Sequence, residues 1–179
     1  MTRRPTRSAL SLLAGLALAG GLVACGEEEL TEVVEGEPIE LAGLDYNVQI
    51  TRFLNPDDAE DAQYLVGQPP PPSGSEYLGV FMVIANHEED GRPSATNYVV
   101  RDTLEQEYEL RPSESPYALE IGGDVPAEGE LPLPNTAARN GPNQASLLIF
   151  EVSDDVSENR PLKLEIQTFA GVGEVILDI

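Results

Sequence analysis

Residues 76 to 86 read EYLGVFMVIAN, and large apolar side chains occupy both the odd-numbered and the even-numbered positions of this run. The two sets are Tyr77, Phe81 and Val83 on one parity, and Leu78, Val80, Met82 and Ile84 on the other. Successive side chains of a strand point to opposite faces, so a run that is apolar on both parities is typical of a strand buried on both sides. The stretch predicts the central strand of a covered sheet.

Further strand patterns lie on either side of this run. Residues 46 to 51 place Tyr46, Val48 and Ile50 on one face, which we expect to point into the core. Five more segments carry an alternating or apolar strand pattern: residues 96–102, 105–110, 146–152, 161–168 and 173–179. The chain therefore supplies enough strands for two packed sheets.

Helical and mixed classes are excluded, because no long segment after residue 25 repeats apolar residues at helical spacing. We predict an all-β fold, an antiparallel immunoglobulin-like β-sandwich. Residues 55–75 include the consecutive prolines Pro69 to Pro72 and predict a long connection. Prolines and glycines also interrupt residues 111–129 and 132–142, which predict edge or loop elements.

The amino terminus has the pattern of a bacterial lipoprotein precursor. Residues 1–24 combine a basic start with a short apolar run, and the run ends in Leu-Val-Ala before Cys25. This ending resembles a lipobox, which implies that Cys25 becomes the diacylglyceryl-modified first residue of the mature chain. We predict a cleaved signal peptide over residues 1–24 and lipid anchoring on the extracytoplasmic face of the cell membrane.

The segment after Cys25 is strongly acidic. Residues 26–37 hold six glutamates and show no pattern that would bury a face, so residues 25–37 predict an acidic flexible tether before a domain at 38–179. Three of the ten basic residues leave with the signal and all 32 acidic residues stay, which gives the exported chain a net charge of −25. Such a charge favours solubility and excludes nucleic acid as a partner.

Four segments carry a family resemblance: residues 46–53, YLGVFMVIAN at 77–86, LLIFEV at 147–152 and PLKLE at 161–165. This arrangement resembles the domain-of-unknown-function 4352 family of bacterial exported lipoproteins, which is similar to an immunoprotective extracellular protein of mycobacteria. The resemblance covers about residues 40 to 179. It implies an immunoglobulin-like sandwich and carries over no catalytic residue.

Motifs for reaction chemistry are sparse. The chain has one histidine, His87, and neither a Gly-x-Ser-x-Gly nor a phosphate-cradling glycine motif occurs. His87 precedes three acidic residues that could help it to bind a cation, but a solvated turn residue is the favoured interpretation. Lys163 stands in an alternating strand, where an outward or cross-strand charge is favoured over a Schiff-base nucleophile. We therefore predict that the protein is not an enzyme.

Calcium is the one cofactor that the sequence leaves open, because runs of acidic residues could bind it. No other cofactor is expected. Asp57, Asp58, Glu60 and Asp61 offer hard oxygen ligands, but their spacing matches no known calcium loop. Asp154 and its neighbour Asp155 form a second acidic pair. Solvated carboxylates are the alternative for both groups.

Three function classes follow. The leading one is a lipid-anchored, non-enzymatic binding or structural module that contacts a protein or cell-envelope component through loops such as 55–75 and 112–142. The alternative is a carrier lipoprotein for a small molecule or calcium, which predicts an apolar pocket or an ordered acidic site. An enzyme with an unrecognised carboxylate site comes last and predicts two converging carboxylates with raised pKa values.

Overall fold

The computed structural model describes residues 31–179. Within that range the chain forms twelve strands and two short α-helices, together with a 3-10 turn at Val156–Glu158. The strands are β1 (Thr31–Val34), β2 (Ile39–Leu41), β3 (Leu44–Leu54), β4 (Ser75–Ala85), β5 (Arg92–Pro93), β6 (Asn97–Arg101), β7 (Glu107–Arg111), β8 (Asp124–Val125), β9 (Glu130–Leu131), β10 (Ser146–Ser153), β11 (Leu162–Thr168) and β12 (Gly171–Leu177). The helices are α1 (Ala59–Ala62) and α2 (Ala137–Asn140).

The strands form two packed sheets that share β7. One sheet has the order β1-β12-β11-β6-β7 and the other β7-β10-β4-β3-β2, with β9 against the end of β4. The small β5-β8 pair stands apart. Neighbouring strands in the described part of the chain run antiparallel, except that β1 lies parallel to β12. The predicted all-β sandwich is confirmed.

Strand β4 is the central strand that its sequence predicts, because it lies between β3 and β10 and is buried on both faces. Its inward residues pack between the two sheets with side chains from the opposite sheet, such as Leu164 and Val175. Its outward residues Tyr77 and Phe81 belong to a second, smaller core on the outer face of the sheet. The two parities of one strand therefore build two separate cores.

A β-bulge at Gln49 changes the face to which β3 side chains point. Val48 pairs with Met82 and Ile50 pairs with Phe81. Gln49 is therefore an extra residue of β3 that has no pairing partner in β4. Ile50 is turned outward and is 37% exposed, while Thr51 becomes buried. The expectation that Ile50 faces the core is wrong, since a single inserted residue inverts the alternation beyond it.

Strand β1 corrects the predicted tether. Residues 31–34 pair in register with residues 173–176 of β12, and the Glu35 carboxylate accepts hydrogen bonds from the amides of Thr51 and Asp178, each at 3.0 Å. The prediction of a flexible segment up to residue 37 is therefore wrong for residues 31–37. The signal peptide, Cys25 and the first part of the tether lie outside the described residues.

The remaining strand predictions are confirmed, with β6, β7, β10, β11 and β12 at the expected positions. Residues 111–129 are largely irregular, as expected, and contribute only β8 and an isolated bridge from Ala118 to Leu147. Lys163 carries the expected cross-strand charge, because its ammonium group donates to Glu32 and Glu174 at 2.6 and 2.8 Å. These two hydrogen bonds are the main reason that the pKa of Lys163 is raised. No helix within residues 31–179 is long and apolar enough to cross a membrane.

Candidate binding groove on the outer sheet face

A polar groove lies on the outer face of the sheet that contains β3 and β4. It occupies the part of that face between the bulge at Gln49 and β2. Asp45, Asn47 and Gln49 alternate along β3 and all point outward, and β4 contributes Val83 and Ala85 beside them. The alternation places three hydrogen-bonding side chains in one row. The second core, which contains Tyr77 and Phe81, covers the sheet only beyond the bulge. The polar row on the other side of the bulge therefore lines an open groove of about 600 Å³.

One wall of the groove comes from the segment between β9 and β10. Glu130 in β9 pairs with Arg139 on α2, and Pro142, Asn143 and Gln144 continue the wall. The side chain of Thr136 caps α2 by accepting a hydrogen bond from the Arg139 amide at 3.2 Å. Gln144 has a φ of 49°, a left-handed conformation that is uncommon for residues other than glycine.

Two amide atoms in the lining residues lack partners. Asn47 Oδ1 and Asn143 Nδ2 are buried, and neither has a hydrogen-bond partner within residues 31–179. A buried polar group without a partner costs about 1 to 3 kcal/mol, so such groups are normally satisfied by water or by a ligand. Both residues line the groove, and the two shielded atoms, one acceptor and one donor, would become available to it if the side chains turned outward.

The charges in and beside the groove are paired. Asp45 Oδ2 lies 3.1 Å from His87 Nε2, while Glu130 pairs with Arg139. His87 is 78% exposed, so it is the solvated residue that its sequence context favours, with one carboxylate contact. The groove therefore presents amides, the Glu130–Arg139 ion pair and the carboxylate of Asp45.

The acidic run of residues 57–61 does not form one ligand set. Asp58 caps α1 through the amides of Glu60 and Asp61, whereas Asp57 and Glu60 are exposed to solvent. Asp61 is buried, and its Oδ1 lies 2.5 Å from Arg52 Nη2 while its Oδ2 accepts from the Asn55 amide. Within residues 31–179, no three His, Cys, Asp or Glu side chains are grouped so that they could hold a metal ion.

The buried Asp61 positions a tyrosine-centred cluster instead. The Arg52 guanidinium that it holds lies over the rings of Tyr64 and Phe81, at 5.6 and 5.8 Å from their centroids. Tyr64 packs edge-on against Phe81 and against Tyr117. Burial is the main cause that raises the pKa of the Tyr64 hydroxyl.

Loops 55–75 and 112–142, which the sequence predicts to be contact loops, have different roles in the structure. The first is joined to residues 112–118 by hydrogen bonds from Gln68 to Pro112, from Ser115 to the Gln63 carbonyl and from Tyr117 to the Gln63 side chain. These bonds hold it over the aromatic cluster. The later part of the second loop forms the wall of the groove.

One carboxylate with a raised pKa lies outside the groove. Burial, and then the charge of Asp154, raises the pKa of Glu76, but Glu76 is not among the residues that line the groove. The groove residues themselves were missed by sequence reasoning, because Asn47, Gln49 and Asn143 match no motif. The alternating polar side chains of residues 45–49 are the one sequence signal for Asn47 and Gln49, and no such signal marks Asn143.

Solved structures share this fold. The chain is similar to an uncharacterised β-sandwich protein of Clostridium difficile, with 12% identity over 85% of this chain and 97% of that one, and a TM-score of 0.52. It is also similar to MPT63, a secreted protein of Mycobacterium tuberculosis, with 9% identity over 85% and 99% of the two chains and a TM-score of 0.53. A third structure, a candidate lipoprotein of Bacillus subtilis called YcdA, gives 10% identity over 80% of this chain and 38% of that one, with a TM-score of 0.50.

At these identities the likeness concerns the fold alone. No family model matches the chain, and no curated protein matches it. The expected likeness to a mycobacterial exported protein is confirmed at the level of the fold. Membership of the domain-of-unknown-function 4352 family stays a prediction.

Proposed function

We propose that the protein is a lipid-anchored, non-enzymatic binding module outside the cytoplasm, and that its groove holds an extended segment of a partner protein. The lipobox-like sequence before Cys25 supports the anchor. The export of MPT63 and the description of YcdA as a candidate lipoprotein agree with an extracytoplasmic place. Loss of membrane association in Cys25→Ser, together with an unmodified amino-terminal peptide in its mass spectrum, would be the expected result for the anchor.

The unpartnered amide atoms of Asn47 and Asn143 carry the proposal for the groove. An extended polypeptide presents N–H and C=O groups alternately, which match the acceptor and the donor of these two groove-lining residues once their side chains turn outward. Polysaccharides are commonly held by stacking on aromatic rings, and the residues that line the groove include none. The Glu130–Arg139 ion pair leaves no unpaired cation among the residues that line the groove, which favours a polar, uncharged stretch of backbone over an anionic ligand.

Site-specific cross-linking tests this assignment. A photo-reactive residue at the groove position Gln144 of the full-length chain is expected to capture a partner in intact cells. The same residue at Gln106, an exposed position on the turn between β6 and β7, provides the matched control and is expected to capture nothing. The double variant Asn47→Ala with Asn143→Ala is expected to abolish the adduct from position 144.

The chemical nature of the adduct decides the outcome. A polypeptide adduct that depends on both asparagines supports the proposal. A glycan adduct, or a polypeptide adduct that forms equally at both positions and survives the double variant, would contradict it. Thermal unfolding of the double variant checks that loss of the adduct does not reflect loss of the fold.

A further inference from the structure

The hairpin tip between β11 and β12 carries the most exposed large apolar side chain in the described part of the chain. Phe169 is 86% exposed at this tip. Residues 166–173 read IQTFAGVG and carry no charge, although the chain as a whole has a net charge of −22. The uncharged tip with its exposed phenylalanine differs from the acidic surface of the rest of the chain, which makes it a candidate contact surface.

The tip is held in a defined conformation. The Thr168 hydroxyl donates to the Gly171 carbonyl at 3.0 Å and accepts from the Ala170 amide at 3.2 Å. Gly171 has a φ of 147°, which few other residues adopt readily. Phe169 is therefore presented outward by an ordered turn, and little further ordering is needed when it binds.

The first described strand, β1, begins at the same end of the molecule. Because β1 is parallel to β12, its first residue, Thr31, pairs with Gly173, two positions after the tip residue Gly171. Thr31 and Ala170 line one shallow cleft. Thr31 follows Cys25 by only six positions, and six residues span at most about 20 Å.

We propose that this end of the domain faces the lipid bilayer and that Phe169 inserts into the interface between headgroups and acyl chains. The inference rests on the proposed lipid anchor, which would bring Thr31, and with it the hairpin tip, to the membrane surface. An apolar ring carried on an uncharged turn suits that interface. Of the three carboxylates in the adjoining cleft, Glu165 and Glu174 are paired with Arg101 and Lys163, which reduces their repulsion from lipid phosphates, whereas Glu40 has no ion pair within residues 31–179.

A tryptophan reporter tests the insertion directly, because the chain contains no tryptophan of its own. Phe169→Trp in the full lipidated chain, reconstituted into phosphatidylcholine vesicles, is expected to show blue-shifted emission and quenching by brominated acyl chains. Leu104→Trp is the matched control. Leu104 is 71% exposed on the turn after β6. Strand β6 starts near the tip, where Asn97 pairs with Gln167, and ends away from it, where Arg101 pairs with Lys163.

Vesicle flotation separates the two proposals. Phe169→Ser in the soluble, unlipidated chain with Cys25→Ser is expected to lower partitioning onto the same vesicles about tenfold, with an unchanged midpoint of thermal unfolding. If the lipidated chain floats while the tryptophan of the Phe169→Trp variant is as water-exposed as that of the Leu104→Trp control, the anchor stands and the insertion is wrong. A chain that carries no lipid on Cys25 overturns both. A blue shift without vesicles that grows with protein concentration would assign the tip to a second copy of the chain and overturn insertion.

Discussion

At the scale of single residues, one carboxylate in an acidic run has a different role from its neighbours. Asp61 is 4% exposed and joins three parts of the chain, through Arg52 of β3, the Asn55 amide and its own helix α1. Asp57, four positions earlier, is exposed to solvent. Burial therefore separates a structural counter-ion from a solubilising charge, although both residues look alike in the sequence.

Asp61→Asn is expected to lower the free energy of unfolding by about 2 kcal/mol. The substitution keeps the shape of the side chain and an acceptor for the Asn55 amide, but it leaves the partly buried Arg52 without its nearest counter-ion. Urea unfolding followed by circular dichroism measures the change. Asp57→Asn is the matched control and should shift the free energy by less than about 0.5 kcal/mol; equal effects would contradict a structural role for Asp61.

Tyr108 gives the protein a defined sensitivity to alkaline pH. Burial, and then the charge of Asp102, raises the pKa of Tyr108 to about 12, and its hydroxyl donates to Asp102 Oδ2 at 3.2 Å. An unfolded tyrosine titrates near pH 10. The contribution of the protonated Tyr108 hydroxyl to the free energy of unfolding is therefore complete below about pH 10 and is lost as the pH rises towards 12. The free energy of unfolding should fall between pH 10 and pH 12, and the fall should be about 2 kcal/mol smaller in Tyr108→Phe than in the wild type. Parallel pH profiles for the two proteins would refute the assignment.

At the scale of secondary-structure elements, two local features define the candidate sites. The bulge at Gln49 ends the polar row of the groove and starts the face that carries Arg52 and the aromatic cluster. Strand β1 brings the start of the folded domain to Thr31, six positions after Cys25, so the segment between the two is shorter than the acidic composition suggests. Both features arise where a strand departs from simple alternation.

The role of β1 can be tested at Glu35, the residue that follows the strand. Its carboxylate bridges the Thr51 and Asp178 amides, so Glu35→Ala should leave two amides unpaired and cost about 1 to 2 kcal/mol. Glu37→Ala, at an exposed position two residues later, should be nearly neutral. Hydrogen exchange of residues 31–34 is expected to quicken only in the first variant, and a neutral result for both would return this segment to a tether.

At the scale of the whole molecule, the two sheets approach closely where β2 meets β12. A Cβ added at Gly173 would lie 2.5 Å from Ile39 Cδ1 and 2.9 Å from Leu41 Cδ1. Glycine is needed there because the side chains of the opposite sheet edge occupy the space above it. The same closure brings β1 and the hairpin tip to one end of the sandwich.

Gly173→Ala is therefore expected to destabilise the fold by about 1 to 3 kcal/mol, measured by thermal or urea unfolding. The clashing atoms are the ends of flexible side chains, so Ile39→Val in the same chain should recover part of the loss. Ile39→Val alone should cost about 0.5 to 1.5 kcal/mol. Simple additivity of the two losses would show that the sheets are not in contact through these residues.

The sequence by itself determined the fold class and the central strand. Alternation and apolar runs are local properties, and they follow from the two-residue period of a strand and from the need to bury one or both faces. For the same reason β10, β11 and β12 could be predicted, and Lys163 could be assigned to an outward position on a strand. The lipobox pattern before Cys25 is likewise a matter of sequence alone.

Only the tertiary structure decided which residues meet. The parallel pairing of β1 with β12, the bulge that turns Ile50 outward and the pairing of Asp61 with Arg52 depend on contacts between distant or locally irregular segments. The groove follows the same rule, because Asn47 and Asn143 are far apart in the chain and line one groove only in the folded sandwich. Short-range patterns carry no information about such pairings, since the free energy that selects them comes from burial in the assembled sandwich.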